Sequence, residues 1–506
     1  MRGIISAAGY LPHWRLQREA ITQVLGSSAG KGQRSVASYD EDSLTMAVDA
    51  GRRALGAAPS ANPAALWFCT TSPTYVEKTN ATIAHAALRL GSEVIAADAG
   101  SGLRGPAAAL RSALHSTDPA VLVLSGDVRT GPAGSVDEKD GGDAGAAVLV
   151  GAASADSGVA VIAEYLGGAS ATREFLDRWR SPGEARTRSW EDRFGEQRYG
   201  DLAAQAWEAG LKDAGLQLDQ LDKVALVGPR PRASAALAKK LGAAGVEVID
   251  SLASSVGFTG AAHPLLMLTS LIEQSQPGQV IALLAMADGA DVFFFRVTDQ
   301  VSGDSGTAAG VTVADQLDDA DNTLLYSKYL AWRGVLPVQP PNRPEPARMS
   351  AAAAERRLDW KYGFVGSKDH ESGALHLPPA RVSFEGGNID DMEPAPMADV
   401  AATVATFTVD SLAYSPSPPV VFAVCDFAGG GRLPVELTDV RPADVTIGMT
   451  VEMTFRRLNT ADEIANYFWK ARPVRGQGTA PVRGQGTAPV RGQGTAREQL
   501  EKTEQD

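Results

Sequence analysis

Apolar and polar positions follow two rhythms along the first 300 residues. Short, nearly unbroken apolar runs at 2–8, 65–70, 93–97, 120–124, 146–150 and 159–163, then at 223–227, 246–249, 280–285 and 292–297, predict buried strands. Between them, segments at 42–55, 81–90, 104–115, 202–214, 233–241 and 262–274 carry apolar residues at every third or fourth place and predict helices. Strands alternating with helices predict a mainly parallel sheet under helical cover. The succession runs through twice, over about 150 residues each time, so two similar α/β halves are expected rather than one closed barrel.

The rhythm breaks near Ser302, where SGDSGTAAG (302–310) has the composition of a flexible linker. A short amphipathic helix at 324–332, a Pro-rich extended piece (Pro337, Pro340, Pro341, Pro344, Pro346) and a helix at 351–358 follow. From Arg381 the texture is all-β. Runs at 400–409, 420–427, 433–438 and 450–458, separated by turns such as Gly429-Gly430-Gly431, predict a small barrel. The octapeptide PVRGQGTA then occurs three times, from Pro473, Pro481 and Pro489. A unit with two glycines and one proline buries no core, so a disordered tail is expected. The expected domains are 1–165 and 166–300 for the two halves, 301–323 for the linker, 324–390, 391–472 for the barrel and 473–506 for the tail.

Composition narrows the function. The 506 residues carry 47 basic and 60 acidic side chains, a net charge of −13, which argues against a phosphate-neutralising nucleic-acid binder. Two cysteines exclude a disulfide scaffold and a four-cysteine zinc site, and confine thiol chemistry to Cys69 or Cys425. No run of 18 apolar residues suggests a membrane span, and the opening MRGIISAAGYLPHWR lacks the apolar core of a secretory signal, so a cytoplasmic location is expected.

Several stretches then carry a family resemblance: DSLTMA (42–47), TTSPT (70–74), GDVR (126–129), GDAGAA (142–147), GFTGAA (257–262), and PGQVIALL (277–284) followed by DGAD (288–291). In order and spacing, residues 1–300 resemble the thiolase superfamily, nearest to 3-hydroxy-3-methylglutaryl-CoA synthases and ketoacyl-carrier-protein synthases of type III. The resemblance implies a duplicated thiolase-like α/β fold, a homodimer through residues 1–300 and acyl-CoA chemistry. It also implies a nucleophilic cysteine at a helix start, where the helix dipole favours a thiolate, with a histidine and an asparagine or second histidine from the other half. The cysteine position falls on Gly100, with Ser101 or Gly102 as the shifted alternatives; the histidine falls near 227–231, at Pro229; the asparagine falls on Phe258. No cysteine lies between Cys69 and Cys425, no histidine between His115 and His263, and no asparagine between Asn80 and Asn322, so this triad cannot be assembled. Ser101, His263 and Glu138 remain as candidates for altered chemistry. Against them stand the absence of any motif to activate Ser101, a capping or core role for His263, and a solvated loop role for Glu138. Cys69, inside LWFCTT, reads as a buried small hydrophobe. The segment bearing Glu174, Asp177, Trp179, Trp190, Asp192 and Phe194 reads as a partner surface, a lid between the halves or a salt-bridged insertion.

Residues 324–473 resemble a second family, acyl-CoA-associated proteins with a zinc ribbon and an OB-fold. The carriers are YLAWRG (329–334), LPPARV (377–382), TFTVD (406–410), GGGR (429–432), Phe455-Arg456-Arg457 and YFWKAR (467–472). Its zinc cysteines fall on Asp369, Ser372, Ser383 and Gly386, a set without a thiolate, so no zinc is expected; His370, His376, Asp369 and Glu371 would make only a weak substitute. The resemblance offers Arg456, Arg457, Trp469 and Lys470 as contacts to a CoA phosphate and adenine, or else as residues that close the barrel. Together the readings favour a non-catalytic subunit that binds CoA or acyl-CoA, or accompanies a separate thiolase or other acyl-CoA enzyme. The rivals are an acyltransferase-like enzyme with a non-cysteine site and an assembly protein acting through its tail.

Overall fold

The computed structural model describes residues 1–100, 102–184, 186–302 and 311–474, all within one compact unit. Ser101, residues 303–310 of the expected linker and all but the first two residues of the repeat tail lie outside the described residues.

Ten strands join edge to edge. From one end they are Ile95–Asp98, Ala65–Cys69, Ala120–Asp127, Ala144–Ala152 and Arg2–Tyr10, then Ala163–Thr172, Gly289–Val297, Val280–Met286, Lys223–Val227 and Glu247–Val248. Numbered by chain order within each half, both halves read 3-2-4-5-1 from the outer edge inward. They meet where Gly3 faces Glu164 and Ile4 faces Ala163. The duplication is therefore present, but the mainly parallel sheet is corrected to a mixed one. The second, third and fourth strands of each half run parallel, while the fifth is antiparallel to both its neighbours. In the second half only Ala287 and Asp288 separate Val280–Met286 from Gly289–Val297, and so short a connection forces a hairpin.

Helices form three layers around the two half-sheets. Ser43–Gly56 and Ala81–Ala87 share a core with the outer face of the first half. Gly105–His115 and His263–Glu273 lie in a core fed by strands of both halves. Asp192–Ala214 and Pro231–Ala243 cover the second half. Local chemistry fixes these helices. Asp42 caps Ser43–Gly56, its carboxylate accepting from the Leu44 and Thr45 amides at 3.1 and 2.9 Å while Thr45 Oγ1 accepts from the Asp42 amide. The helix HPLLMLTSLIE is apolar nearly all round and is buried over ten of its eleven residues, as a central helix must be. Glycines set the approach of Ser43–Gly56: a Cβ on Gly126 would lie 1.9 Å from the Ser43 carbonyl oxygen, and one on Gly145 2.3 Å from that of Met46.

Beyond the halves, Tyr326–Trp332 packs back on the first half, Tyr329 lying under the guanidinium groups of Arg34 and Arg333 at 5.1 and 5.3 Å. A three-stranded antiparallel sheet (Val365–Asp369, Leu375–His376, Met392–Pro396) precedes a closed five-stranded barrel, in the order Ala402–Asp410, Val420–Phe427, Arg432–Leu437, Ile464–Pro473, Thr450–Ala461. The barrel interior, with Phe455, Tyr467 and Trp469, belongs to the same core as Leu44 and Val48. Among the described residues no helix is long and apolar enough to cross a membrane.

Candidate functional site

Of the positions expected to surround a catalytic cysteine, Pro229 and Phe258 share a cavity with His263, and Gly100 does not line it. Gly100 is exposed, in a left-handed conformation (φ 86°), and neither it nor Gly102 has an atom within 4 Å of a would-be Cβ. Leu103 and Arg104 face Phe258 instead, around a void of about 10 Å³ that also touches Val227 and Asp291. That is about the space of a single water. Arg104 crosses between the halves: Nε lies 2.7 Å from Asp291 Oδ2, and Nη1 donates to Thr172 Oγ1 at 2.8 Å. Leu103, Phe258 and the Arg104–Asp291 ion pair thus fill the space between the halves at this point.

Next to this packed centre is a cavity of about 330 Å³, with Phe258 in the wall of both. Pro229, Val248 and Ile249 give the cavity an apolar side; Arg18, Asp137 and His263 supply polar groups. His263 is buried, and burial pulls its pKa down to about 4, against a hydrogen bond with the Ser251 backbone that works the other way. One ring nitrogen accepts from the Thr259 amide at 3.3 Å, and the ring stands 5.1 Å from that of Phe258. Burial thus keeps His263 a neutral and only weakly basic imidazole, with Nδ1 already taken up by Thr259. Burial works to raise the Asp137 carboxyl, but Arg129 and Arg178, each 2.7 Å away, outweigh it and hold the group well below the usual carboxylate range. Arg18 has no such partner. It is 8% exposed, donates to the carbonyls of Lys31 and Ala253 at 3.0 and 2.7 Å, and has no carboxylate within ion-pair distance among the described residues; its Nε–H has no acceptor. Asp140, which lines the same cavity, acts on the Arg18 guanidinium through space, so the hydrogen bonds of Arg18 go to carbonyls while its charge is partly balanced by a carboxylate.

Glu138 is not part of this site. Its buried carboxylate accepts from the Tyr326 hydroxyl at 2.9 Å and from the Gly134 amide, which anchors Tyr326–Trp332. Of the sequence candidates the cavity collects His263, Pro229 and Phe258, while Ser101 lies outside the described residues. Leu103, Arg104 and Asp291 were missed; the neighbouring glycines, Gly100 and Gly102, hid the register. The charged mid-chain segment lies across both halves. Arg178 and Arg180 reach Asp137 and the Thr71 carbonyl of the first half, and Asp177 and Asp192 hold Arg230 of the second.

The proposed CoA contacts on the barrel are corrected by burial. Arg456 is enclosed by Asp40, Glu41 and Asp439, the last at 2.6 Å. Lys470 lies 3.0 Å from Asp40 and 2.5 Å from Glu436. Trp469 is 1% exposed and donates to the Tyr362 carbonyl at 2.8 Å. Arg457 is partly exposed but donates to the Tyr39 carbonyl at 3.2 Å, and its own amide is bound to the Asp40 carbonyl. These groups join the barrel to the first half and leave no free cation for a phosphate.

Zinc, which the second resemblance implies for its family, does not fit. Asp369 is fully buried, and its carboxylate accepts from Ser372 Oγ at 2.5 Å, from Asn388 Nδ2 at 3.1 Å and from the Glu371 amide at 3.2 Å, with Ser383 hydrogen-bonded to it as well. These bonds, Ser372 first, hold its pKa far below the usual range. Gly386 offers no donor atom, and His376 stacks edge-on against Phe384 at 4.6 Å. Among the described residues no group of three His, Cys, Asp or Glu side chains converges on a metal position. A carboxylate thus sits at the first ligand position with hydroxyls from the second and third as its donors. Chelators are expected to leave the unfolding midpoint unchanged and Asp369→Ala to lower it, as differential scanning fluorimetry would show.

Residues 396–456 match the family described as ChsH2, C-terminal OB-fold domain. The hydroxymethylglutaryl-CoA synthase of Pyrococcus furiosus is 27% identical over 307 residues, which cover 59% of this chain and 86% of that protein. That of Picrophilus torridus is 26% identical over 347 residues, 65% of this chain and 97% of that protein. Among solved structures, an HMG-CoA synthase complexed with CoA superposes with a TM-score of 0.54 at 19% identity, over 65% of this chain and 89% of that one. The 3-oxoacyl-(acyl carrier protein) synthase III of Pseudomonas aeruginosa PAO1 gives 0.51 at 19% identity, over 59% and 98%. The first three-fifths of the chain is hydroxymethylglutaryl-CoA synthase-like, on the thiolase fold, and a ChsH2-type OB-fold domain follows.

Proposed function

We propose that this protein, built on a condensing-enzyme fold, is a non-catalytic CoA- or acyl-CoA-binding subunit that accompanies a thiolase or related acyl-CoA enzyme. One observation carries the reading. The cavity that brings together Pro229, Phe258 and His263 keeps about 330 Å³ and the buried guanidinium of Arg18, while Leu103, Phe258 and the Arg104–Asp291 pair leave only about 10 Å³ beside it. The larger volume is in the range of small-molecule sites. Its apolar wall suits the methylenes of a pantetheine arm or an acyl chain, and Arg18 suits an anionic oxygen of the ligand. The likeness to an HMG-CoA synthase complexed with CoA supports the ligand class. Phe258 lines the cavity and the buried His263 is only weakly basic, so on this reading the chain's own residues bind and shield a thioester without attacking it.

Titration calorimetry of the full chain with CoA tests the binding. Saturable binding is expected, weakened about tenfold or more in Arg18→Ala, the order of one charge-assisted hydrogen bond. No heat from CoA or acetyl-CoA overturns the reading of the cavity. Sustained thiol release from an acyl-CoA panel by the purified chain overturns the non-catalytic part and favours an enzyme with a non-cysteine site.

A further inference from the structure

Three large apolar side chains stand exposed in the hairpin 381–390: Val382 at 53%, Phe384 at 75% and Ile389 at 69%. Val382 and Ile389 are opposite one another across the hairpin, between the Ser383–Asn388 and Asp390–Arg381 backbone bonds, so their side chains share one face. The edge-on contact of Phe384 with His376 sets the hairpin beside the strand Leu375–His376. That strand is the edge of its sheet and pairs on one side only, with Val365–Asp369. An open groove of about 600 Å³ borders it, lined by six consecutive residues, Gly373–Pro378, and by the barrel turn Gly429–Gly431, which has no side chains to fill the space. Leu375 and Leu377 supply apolar contacts there. His376 is 6% exposed and lines the same groove, and its Nε2 is buried without a hydrogen-bond partner. A buried polar atom left in that state favours an incoming polar group.

Charge selects the occupant. Lys368, Arg381 and Arg432 are each held by a carboxylate, Glu393, Asp390 and Asp426 respectively. The exposed carboxylates of Glu371, Glu385 and Asp391 have no such cation among the described residues. Glu385 lines the groove, Glu371 lies in the turn that leads to its wall at Gly373, and the Asp391 carbonyl accepts from the His370 amide beside that turn. An apolar face with surplus negative charge at its rim fits a partner that is apolar and basic. The same charge repels phosphates, which sets aside nucleic acid and anionic lipid.

We propose that this face docks an extended, basic segment of a partner protein. The segment adds a strand to the free edge of Leu375–His376, sets alternate apolar side chains against Leu375, Leu377 and Phe384, and turns Lys or Arg toward Glu371, Glu385 and Asp391. Docking here needs a partner, as the function proposed above does, but no CoA. The face shares no residue with the cavity beside Phe258, so a failed CoA titration leaves it standing.

A random peptide library displayed on phage, selected on the immobilised full chain and counter-selected on the Phe384→Ser, Ile389→Ser double variant, tests this. Both side chains are exposed, so the double variant should keep the wild-type unfolding midpoint. Enriched peptides should alternate apolar residues with Lys or Arg. A synthetic peptide of that consensus should bind the full chain about tenfold more tightly than it binds Phe384→Ser, and about tenfold more tightly than Glu385→Lys, with affinity falling as salt is added. Glu385→Lys changes only an exposed loop residue and keeps the test readable should the double variant lose its fold. No enrichment over the double variant, an acidic or uncharged consensus, or binding indifferent to Glu385→Lys overturns the proposal. Concentration-dependent dimerisation that the double variant abolishes would give the face to a second copy of this chain and overturns it equally.

Discussion

Arg456→Met should cost about 3–5 kcal/mol of stability, the range found when one partner of a buried charge cluster is removed. The side chain is fully buried, and three carboxylates, Asp40, Glu41 and Asp439, converge on it from two parts of the fold. Methionine preserves much of the volume and none of the charge, so these carboxylates would lose the cation they share, with Lys470 still bound to Asp40. The loss would appear in a denaturant titration followed by tryptophan fluorescence, since Trp469 lies in the same core. A loss below about 1 kcal/mol, coupled with weakened CoA binding, would return Arg456 to the role of a ligand contact.

Acid should undo the same interface. Burial works to raise the carboxyls of Asp40 and Asp49, but Lys470 and then Arg456 act on the first, and Arg472 with Arg52 and Arg53 on the second. The balance leaves both well below the usual range. A carboxylate whose folded pKa is depressed gives its full contribution above the unfolded value, near pH 4, and loses it as pH falls toward the folded value. Each is worth on the order of 2 kcal/mol by that linkage. Glu41 runs the other way: burial raises its pKa, so it takes up a proton early at little cost. The urea midpoint should be level from pH 7 to about 5 and fall steeply below about 4. A midpoint that stays level to pH 3 would show that the network adds nothing to stability.

Much of the fold was legible because burial leaves a pattern in the sequence. The strand Lys223–Val227 and the barrel strand Val420–Phe427 appear at the residues their apolar runs mark. The helix Asp192–Ala214 starts ten residues before its apolar period does, because its first turns are polar and lie over the second half through Tyr199 and the Asp177–Arg230 pair. The strand Ala163–Thr172 was placed too early, since its AEYLGGASAT sequence is small and polar where it lies between two neighbours. That the triad's residue types are missing from their expected windows is plain in the sequence alone. The contact of Arg104 with Asp291 was not legible, because the two are 187 positions apart and each looks like a surface charge in its own segment. YFWKAR shows the same limit: its aromatic and basic residues suit a ligand as well as an interface, and only Asp40 and Asp49, some 400 residues earlier, decide between the two.

That separation has a consequence for how the chain is made. Tyr10 is bonded to Arg472 across 462 residues, and Thr454 to Asp49 across 405. Domains fold in order as they emerge, at roughly 5–20 residues per second. The first half therefore completes its sheet with Asp40, Glu41 and Asp49 still lacking their cations, for roughly 15 to 65 s at that rate. In that interval they are carboxylates without the cations that the folded chain gives them. Arrival of the last barrel strand neutralises the patch, so the two parts lock only when the polypeptide has been read through to Arg472.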